Sequence, residues 1–328
     1  MRFLSRRLGF YLVAIWVVVT VNFAIPRLVP GNAVDTVLGQ IRSSTPQLVK
    51  AIEKQMGVGD QGSIFSQYIH YWSQILHLNL GISTSPGIYP TPVLTEIGRT
   101  LPWTLGLVGV ATILSFALGT LLGVFAAWRR GGWLDRALPS LTFLQATPYF
   151  FLALILVYFF SIRLGSLPAT SAYDLGYTPG FNLSFIGNML EHAILPALTI
   201  IVTSLAGWML QMRNMMLTTI SEDYVLVAQA KGLPSRRVMF TYAGRNAILP
   251  NIAGFSLALG FVVAGAIVME FVFSYPGVGF TLVQAVENSD VPLMQGLFLV
   301  ISLTVLTASL LADIVYVIAD PRARSRTA

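Results

Sequence analysis

Glu270 and Asp313 are the acidic side chains that meet long uncharged apolar runs in this 328-residue chain. An ionisable group in such a run costs several kcal/mol to keep from water, so it is retained for ion coupling or for a pair inside a helix bundle. Both stand near run ends, and both read as boundary or paired residues. The three histidines, at 70, 77 and 192, lack metal-ligand spacing, and His192, beside Glu191 and near Pro196, reads as structural. Lys50, Lys54 and Lys231 are the only lysines, and none completes a Gly-x-x-x-x-Gly-Lys-Ser/Thr phosphate loop, so the chain is not its own ATPase of that type. With no cysteine, disulfides, thiolate metal sites and cysteine nucleophiles are excluded. An intramembrane enzyme would need converging polar groups that the runs do not supply.

The residue types that remain suggest mechanical work. From Asp223 through Ala228, Ala230, Lys231, Gly232, Leu233, Pro234 and Arg236 to Leu249 and Pro250, two helix-length stretches are divided at Gly232 and Pro234. Gly suits a left-handed helix stop and Pro a helix start. Ala228 and Ala230 are small enough for another surface to come close. Glu222 and Asp223 fall in a first helical turn, where negative charge suits the helix dipole. The block reads as a rigid docking knob, and Pro250 reads as a hinge between knob and following span. A basic loop that only fixes topology is the plainer alternative.

The elements that must carry this block are membrane spans. The chain is 55% hydrophobic and only 10% charged, with mean hydropathy +0.72, whereas soluble domains carry about 25% charged residues. Runs long enough to cross a core of about 30 Å are Leu8 to Ile25, Leu101 to Trp128, Ala137 to Ile162, Ala193 to Met212, Asn246 to Met269 and Val291 to Ala319. The first is too long for a signal-peptide core and lacks a small-x-small cleavage site. If both termini are cytoplasmic, the inner segments hold fourteen of the twenty Lys and Arg, counted along the sequence; the positive-inside rule then fixes that orientation and puts the knob inside. The net charge of +6 is distributed by membrane side, which argues against nucleic-acid binding.

The expected order is a tail and first span (1–28), an outer segment (29–100), a membrane core (101–319) holding the knob (213–250), and a cytoplasmic tail (320–328). In the outer segment, helical spacing covers Pro46 to Met56 and Ile64 to Leu76, with turns at Gly81 to Gly87 and Pro90 to Pro92. Between the last two spans, Pro276, Gly277 and Gly279 mark an outer turn leading into a short interfacial or re-entrant helix. Most tryptophans fall near span ends and read as interfacial belts.

Arg6-Arg7-Leu8, Pro30-Gly31, Leu80-Gly81, Arg99-Thr-Leu-Pro102, Ala228-x-Ala230-Lys-Gly232, Arg245-Asn-Ala-x-Leu-Pro250, Phe273-Ser-Tyr-Pro-Gly277-x-Gly279 and Asp320-Pro-Arg322 follow one another along the whole chain. In this order they resemble the dipeptide/oligopeptide/nickel branch of ABC-importer permeases, and within it the first (B-type) permease subunit. The resemblance implies an all-α type I importer fold of six spans in a prokaryotic inner membrane. It implies four kinds of partner: a second homologous permease, two ATPase subunits, an extracytoplasmic solute-binding protein and membrane lipid. ATP and Mg would be bound by the ATPases, with no cofactor in this chain. It turns the knob into the EAA loop, whose coupling helix fits the ATPase. Ala228 and Gly232 match its small residues and Leu249-Pro250 its end, while Leu226 stands where an acidic residue is usual.

A self-sufficient channel or secondary carrier is the reading of another class, but it needs no rigid cytoplasmic knob, and no inverted repeat is visible. Within the importer reading, peptides come first. Trp208-Met-Leu-Gln-Met-Arg213-Asn-Met-Met216 also resembles members that carry oligosaccharides, such as β-linked glucans. The spans contain no strong charged site, so the solute is expected to be uncharged or zwitterionic.

Overall fold

The computed structural model describes residues 2–28, 63–83, 91–262 and 267–319. The expected helix at Pro46–Met56, the turn around Pro86 and the tail 320–328 lie outside them. Helix predominates, as it must where backbone polar groups cannot bond to water. The described chain forms two compact units, Met1–Thr104 with Pro276–Leu306, and Leu105–Tyr275 with Thr307–Ala328.

In the first unit, α1 (Arg2–Leu28) carries the first apolar run. Against it packs α2 (Ile64–Leu76), whose bounds match the sequence expectation and whose N-terminus is capped by Ser63. Phe23 meets the rings of Tyr68 and Tyr71. The carboxamide of Asn22 donates to Tyr71 Oη at 3.0 Å and to the Gln295 carbonyl at 2.9 Å, tying together three stretches distant in sequence. Beyond α2, Gly81 turns the chain at φ +95 into β1 (Ile82–Ser83), paired antiparallel with β2 (Thr91–Pro92). This small ladder is an exception to the all-helical expectation and replaces the turn expected at Pro90 to Pro92. Ser83 Oγ donates to Asp290 Oδ2 at 2.7 Å, while Asp290 Oδ1 accepts from Leu293 N at 3.0 Å and so caps α12 (Val291–Ala319). Helix α3 (Val93–Thr104) packs on α11 (Val278–Glu287).

In the second unit, α4 (Val110–Trp128) continues α3 through a π-widened turn at Leu105–Gly109, soon after Pro102 removes a backbone donor. It lies along α7 (Leu183–Ile220), which has 38 residues. A Cβ on Gly119 would stand 2.7 Å from Trp208 Cβ, and one on Gly123 2.6 Å from the Met209 carbonyl. The two bare positions, one turn apart, let the backbones approach as in small-xxx-small membrane packing.

The expected third span, Ala137 to Ile162, is instead two helices, α5 (Trp133–Ala146) and α6 (Tyr149–Leu156, extended by wide turns to Arg163), bent by 97°. Pro148 drives the preceding residue out of the helical region, and Thr147 is extended at ψ 127. The expected fourth span lies inside α7, which at about 1.5 Å per residue is roughly 57 Å long and overshoots a bilayer core. The expected fifth span is also divided: α9 (Leu249–Gly260) ends in a turn at Phe261, and α10 (Ile267–Val272) packs on α6. Residues 263–266 lie outside the described set.

Among the described residues, three helical runs are long and apolar enough to cross a membrane: Val93–Trp128, Leu183–Ile220 and Val291–Ile314. The bent pair makes a fourth if it is one span, and Gly9–Ile25 and Leu249–Gly260 are shorter apolar stretches.

Candidate functional site

Two features of the second unit bear on function, the 221–250 block and a groove beside it. In the block, α8 (Asp223–Ala230) starts after extended Glu222, which the sequence reading put inside the first turn. It stops in a Schellman motif: Gly232 N donates to the Gln229 carbonyl at 2.9 Å and Leu233 N to the Ala228 carbonyl at 3.4 Å. Gly232 supplies the left-handed φ of +71 that this closure demands. Pro234 starts the next helical stretch, its carbonyl accepting from Arg237 N at 2.8 Å. Ser235–Arg237, a π-widened Val238–Gly244 and Arg245–Ala247 then lead into α9.

Val225 and Ala228, one turn apart, are buried among Val124, Met212, Met216, Val238 and Met239. Ala228, read from sequence as a contact for another surface, therefore faces its own core. Leu233 is half-buried on the same cluster. Ala230, Lys231, Gly232 and Arg236 are exposed as read. A Cβ on Gly232 would meet nothing within 4 Å, so backbone conformation rather than close approach requires glycine there. Val227 and Phe240 are exposed apolar side chains of the knob that the sequence pattern does not single out, and Leu226, which stands where an acidic residue is usual, is exposed too. The i, i+3 pair Val225 and Ala228 forms the buried face and leaves Leu226 and Val227 outside, a choice made by Met212, Met216 and Val238 of other elements.

The knob is tied down at its edges. Asn246 Nδ2 donates to Tyr224 Oη at 2.8 Å, and Trp128 Nε1 donates to Ser235 Oγ at 3.0 Å. Nearby, Arg213 Nε on α7 meets Asp135 Oδ1 at 2.6 Å, and Gly131 N donates to the other carboxylate oxygen at 2.9 Å. These two hydrogen bonds, the guanidinium's first, hold the Asp135 carboxyl below the usual carboxylate range. Leu249 and Pro250 occupy the first turn of α9. The preceding residue, Ile248, keeps helical dihedrals, so Pro250 begins a helix without turning the chain sharply.

Pro276, Gly277 and Gly279 belong to the first unit. Gly277 precedes α11 in extended conformation and Gly279 is buried in its first turn, with Val278 N donating to Thr104 Oγ1 at 2.8 Å. The break thus leads into a short helix, as expected, and that helix packs on α3. Glu270 is fully buried within the protein. His192 is buried too, with Nδ1 3.0 Å from the Asn188 carbonyl and Nε2 3.5 Å from Asp174 Oδ1. Its carboxylate neighbour is therefore Asp174, eighteen positions upstream, rather than Glu191. Asn188 holds both the backbone and the carboxylate of Asp174, so the cluster anchors a loop. Among the described residues no three His, Asp or Glu group as metal ligands would.

The groove has a volume of about 720 Å³ and is lined from α4, α5, α7 and the end of α9. Its polar side chains are Thr112, Ser115, Gln145, Thr147, Thr203, Ser204 and Gln211; Tyr149, Trp208 and Phe261 add aromatic surface. Among the described residues no acidic or basic side chain lines it. Several hydroxyls bond within their own helices, Ser115 to the Thr112 carbonyl at 3.0 Å and Thr203 to the Thr199 carbonyl at 2.8 Å. Behind the groove, Phe116 stacks on Phe255 and meets Trp208 edge-on. Fully buried Asn251 donates to Thr120 Oγ1 at 3.2 Å and to the Trp208 carbonyl at 3.3 Å, joining α9 to α4 and α7.

Residues 119–325 match the profile of the family described as binding-protein-dependent transport system inner membrane component. The di/tripeptide transport system permease protein DppB of Pseudomonas aeruginosa is 33% identical, covering 98% of each chain. The dipeptide transport system permease protein DppB of Escherichia coli K12 is 31% identical over 99% of each. The probable D,D-dipeptide transport system permease protein DdpB of the same strain is 34% identical over 93% of this chain and 92% of its own. A block held rigidly beside apolar helices and a neutral groove suit such a component, and the match covers the whole block and the part of the groove that follows residue 118: the chain belongs to the family of binding-protein-dependent transport system inner membrane components.

Proposed function

We propose that this chain is one permease subunit of an ATP-driven importer that moves short peptides delivered by an extracytoplasmic solute-binding protein. The observation that carries the reading is likeness to peptide permeases over 98% of both chains, which takes in the first 118 residues outside the family profile. The groove supports it, since its neutral hydroxyl, carboxamide and aromatic lining offers weak, replaceable contacts to a zwitterionic oligomer.

In this reading the chain crosses a prokaryotic inner membrane six times with both termini inside, and 29–100 lies outside. It pairs with a second homologous permease above two ATPase subunits, which hold ATP and Mg. The exposed knob, with Leu226, Val227, Ala230, Lys231 and Arg236, seats in the ATPase, and α9 passes its motion to the groove. Supporting this are the charge partition and the apolar centre of the knob within a basic rim.

Neutral oligosaccharides are the second reading, because the same lining suits sugar hydroxyls. Uptake by proteoliposomes holding both permeases and the ATPases, with binding protein outside and ATP inside, separates the two. Ala-Ala-Ala is expected to enter and cellotriose to stay out. The reverse result removes the peptide reading.

A further inference from the structure

Resting on the peptide reading, we infer that Gln145, seated on the bare surface of Gly207, sets the charge preference of the groove and contacts the passing solute. A Cβ on Gly207 would stand 3.0 Å from Gln145 Nε2 and 3.6 Å from Oε1, so the carboxamide lies close against the bare glycine and would have to shift slightly for any larger residue there. Gln145 is exposed within an apolar chain and lines the groove. An exposed carboxamide on such a helix faces a water-filled space rather than lipid. Ser115 and Thr203 spend their hydrogens inside their own helices, and Gln211 Nε2 is engaged, at 3.4 Å, by the Pro250 carbonyl.

Gln145 offers both a donor and an acceptor, which matches the N–H and C=O of a peptide bond. Its neutrality lets solute side chains of either sign pass. It stands three residues before Pro148, so a change in the 97° bend carries it across the groove.

The test uses the complete importer in proteoliposomes with saturating binding protein, reading initial uptake of Ala-Ala-Ala, Ala-Lys-Ala and Ala-Glu-Ala. The unaltered importer is expected to move all three within about threefold of one another. Gln145→Glu is expected to raise the Lys-to-Glu peptide ratio about tenfold, and Gln145→Lys to lower it about tenfold, since a charge in a poorly hydrated passage acts strongly. Unchanged ratios in both variants overturn the inference. A second readout does not depend on the solute being a peptide. The chain has no cysteine, so Gln145→Cys and, as an exposed position outside the groove, Leu154→Cys can be treated with a cationic methanethiosulfonate. The Gln145→Cys importer is expected to react at least tenfold faster and to lose transport of whatever solute it carries. Equal rates overturn the inference even if the solute is a sugar. Failure of Ala-Ala-Ala uptake in the unaltered importer removes only the peptide reading.

Discussion

Gly232 shows how one residue can be required for its backbone alone. Its φ of +71 costs an L-residue about 1–2 kcal/mol, yet a Cβ there meets open space. Gly232→Ala is therefore expected to insert, assemble and lose about 1 kcal/mol of stability, read as a small drop in Tm of the purified protein. Asp135 gives a pH-dependent prediction. Its carboxyl is held below its ordinary value of 3.8 by Arg213 and the Gly131 amide, so the folded state binds its proton less readily than the unfolded. The stabilisation is present above about pH 4 and fades as pH falls through the lowered folded value. In thermal melts the gap between Asp135→Asn and the unaltered protein is expected to be widest at neutral pH and to narrow as pH is lowered below about 4; a gap that grows on acidification contradicts this. The glycine stop and the proline start were legible because each acts through its own dihedral. Which way Ala228 faces was not, since an eight-residue helix takes its buried side from Met212, Met216 and Val238, which come from other elements.

At the scale of elements, the closest packing joins α4 and α7. Gly119→Leu or Gly123→Leu forces apart backbones that leave no room for a Cβ, and is expected to cost at least 1–3 kcal/mol as overpacking. Gly187→Ala in α7, where a Cβ meets nothing within 4 Å, is expected to be neutral or slightly stabilising. Fluorescence-detected size-exclusion after a heating series orders the variants; equal loss in all three contradicts the close-approach account. The pair was visible in the sequence as Gly119-Thr-Leu-Leu-Gly123 but had been read only as part of an apolar run. The bend at Thr147 was equally visible through Pro148. Counting uncharged residues measures how far a run can reach and ignores what a proline does to the residue before it. The division of the expected fifth span had a weaker marker, since Gly260 ends the helix but a single glycine inside an apolar run does not by itself stop one.

At the scale of the whole molecule, composition settles the membrane class, since so low a charged fraction leaves little polar surface for water. The groove was harder to see: its carboxamides and hydroxyls come from α4, α5, the bend at Thr147 and α7, far apart in sequence, and only the fold gathers them. Topology is testable with the same lack of cysteine. Ser43→Cys is expected to react with an impermeant thiol reagent in intact cells, and Ser235→Cys and Ser325→Cys only after lysis; labelling of Ser235→Cys alone in intact cells inverts the orientation.

The central claim is that a rigid exposed knob couples this chain to an ATPase carried on another subunit. Its most direct test is ATP hydrolysis by the reconstituted importer in response to peptide-loaded binding protein, compared between the unaltered chain and Leu226→Asp/Val227→Asp. Both side chains are exposed, so the fold should survive the change. The account predicts stimulated hydrolysis in the first case, and loss of both stimulation and uptake in the second, with membrane abundance unchanged. Full stimulation and uptake by the double variant, or uptake by the permeases without any ATPase subunit, would contradict it.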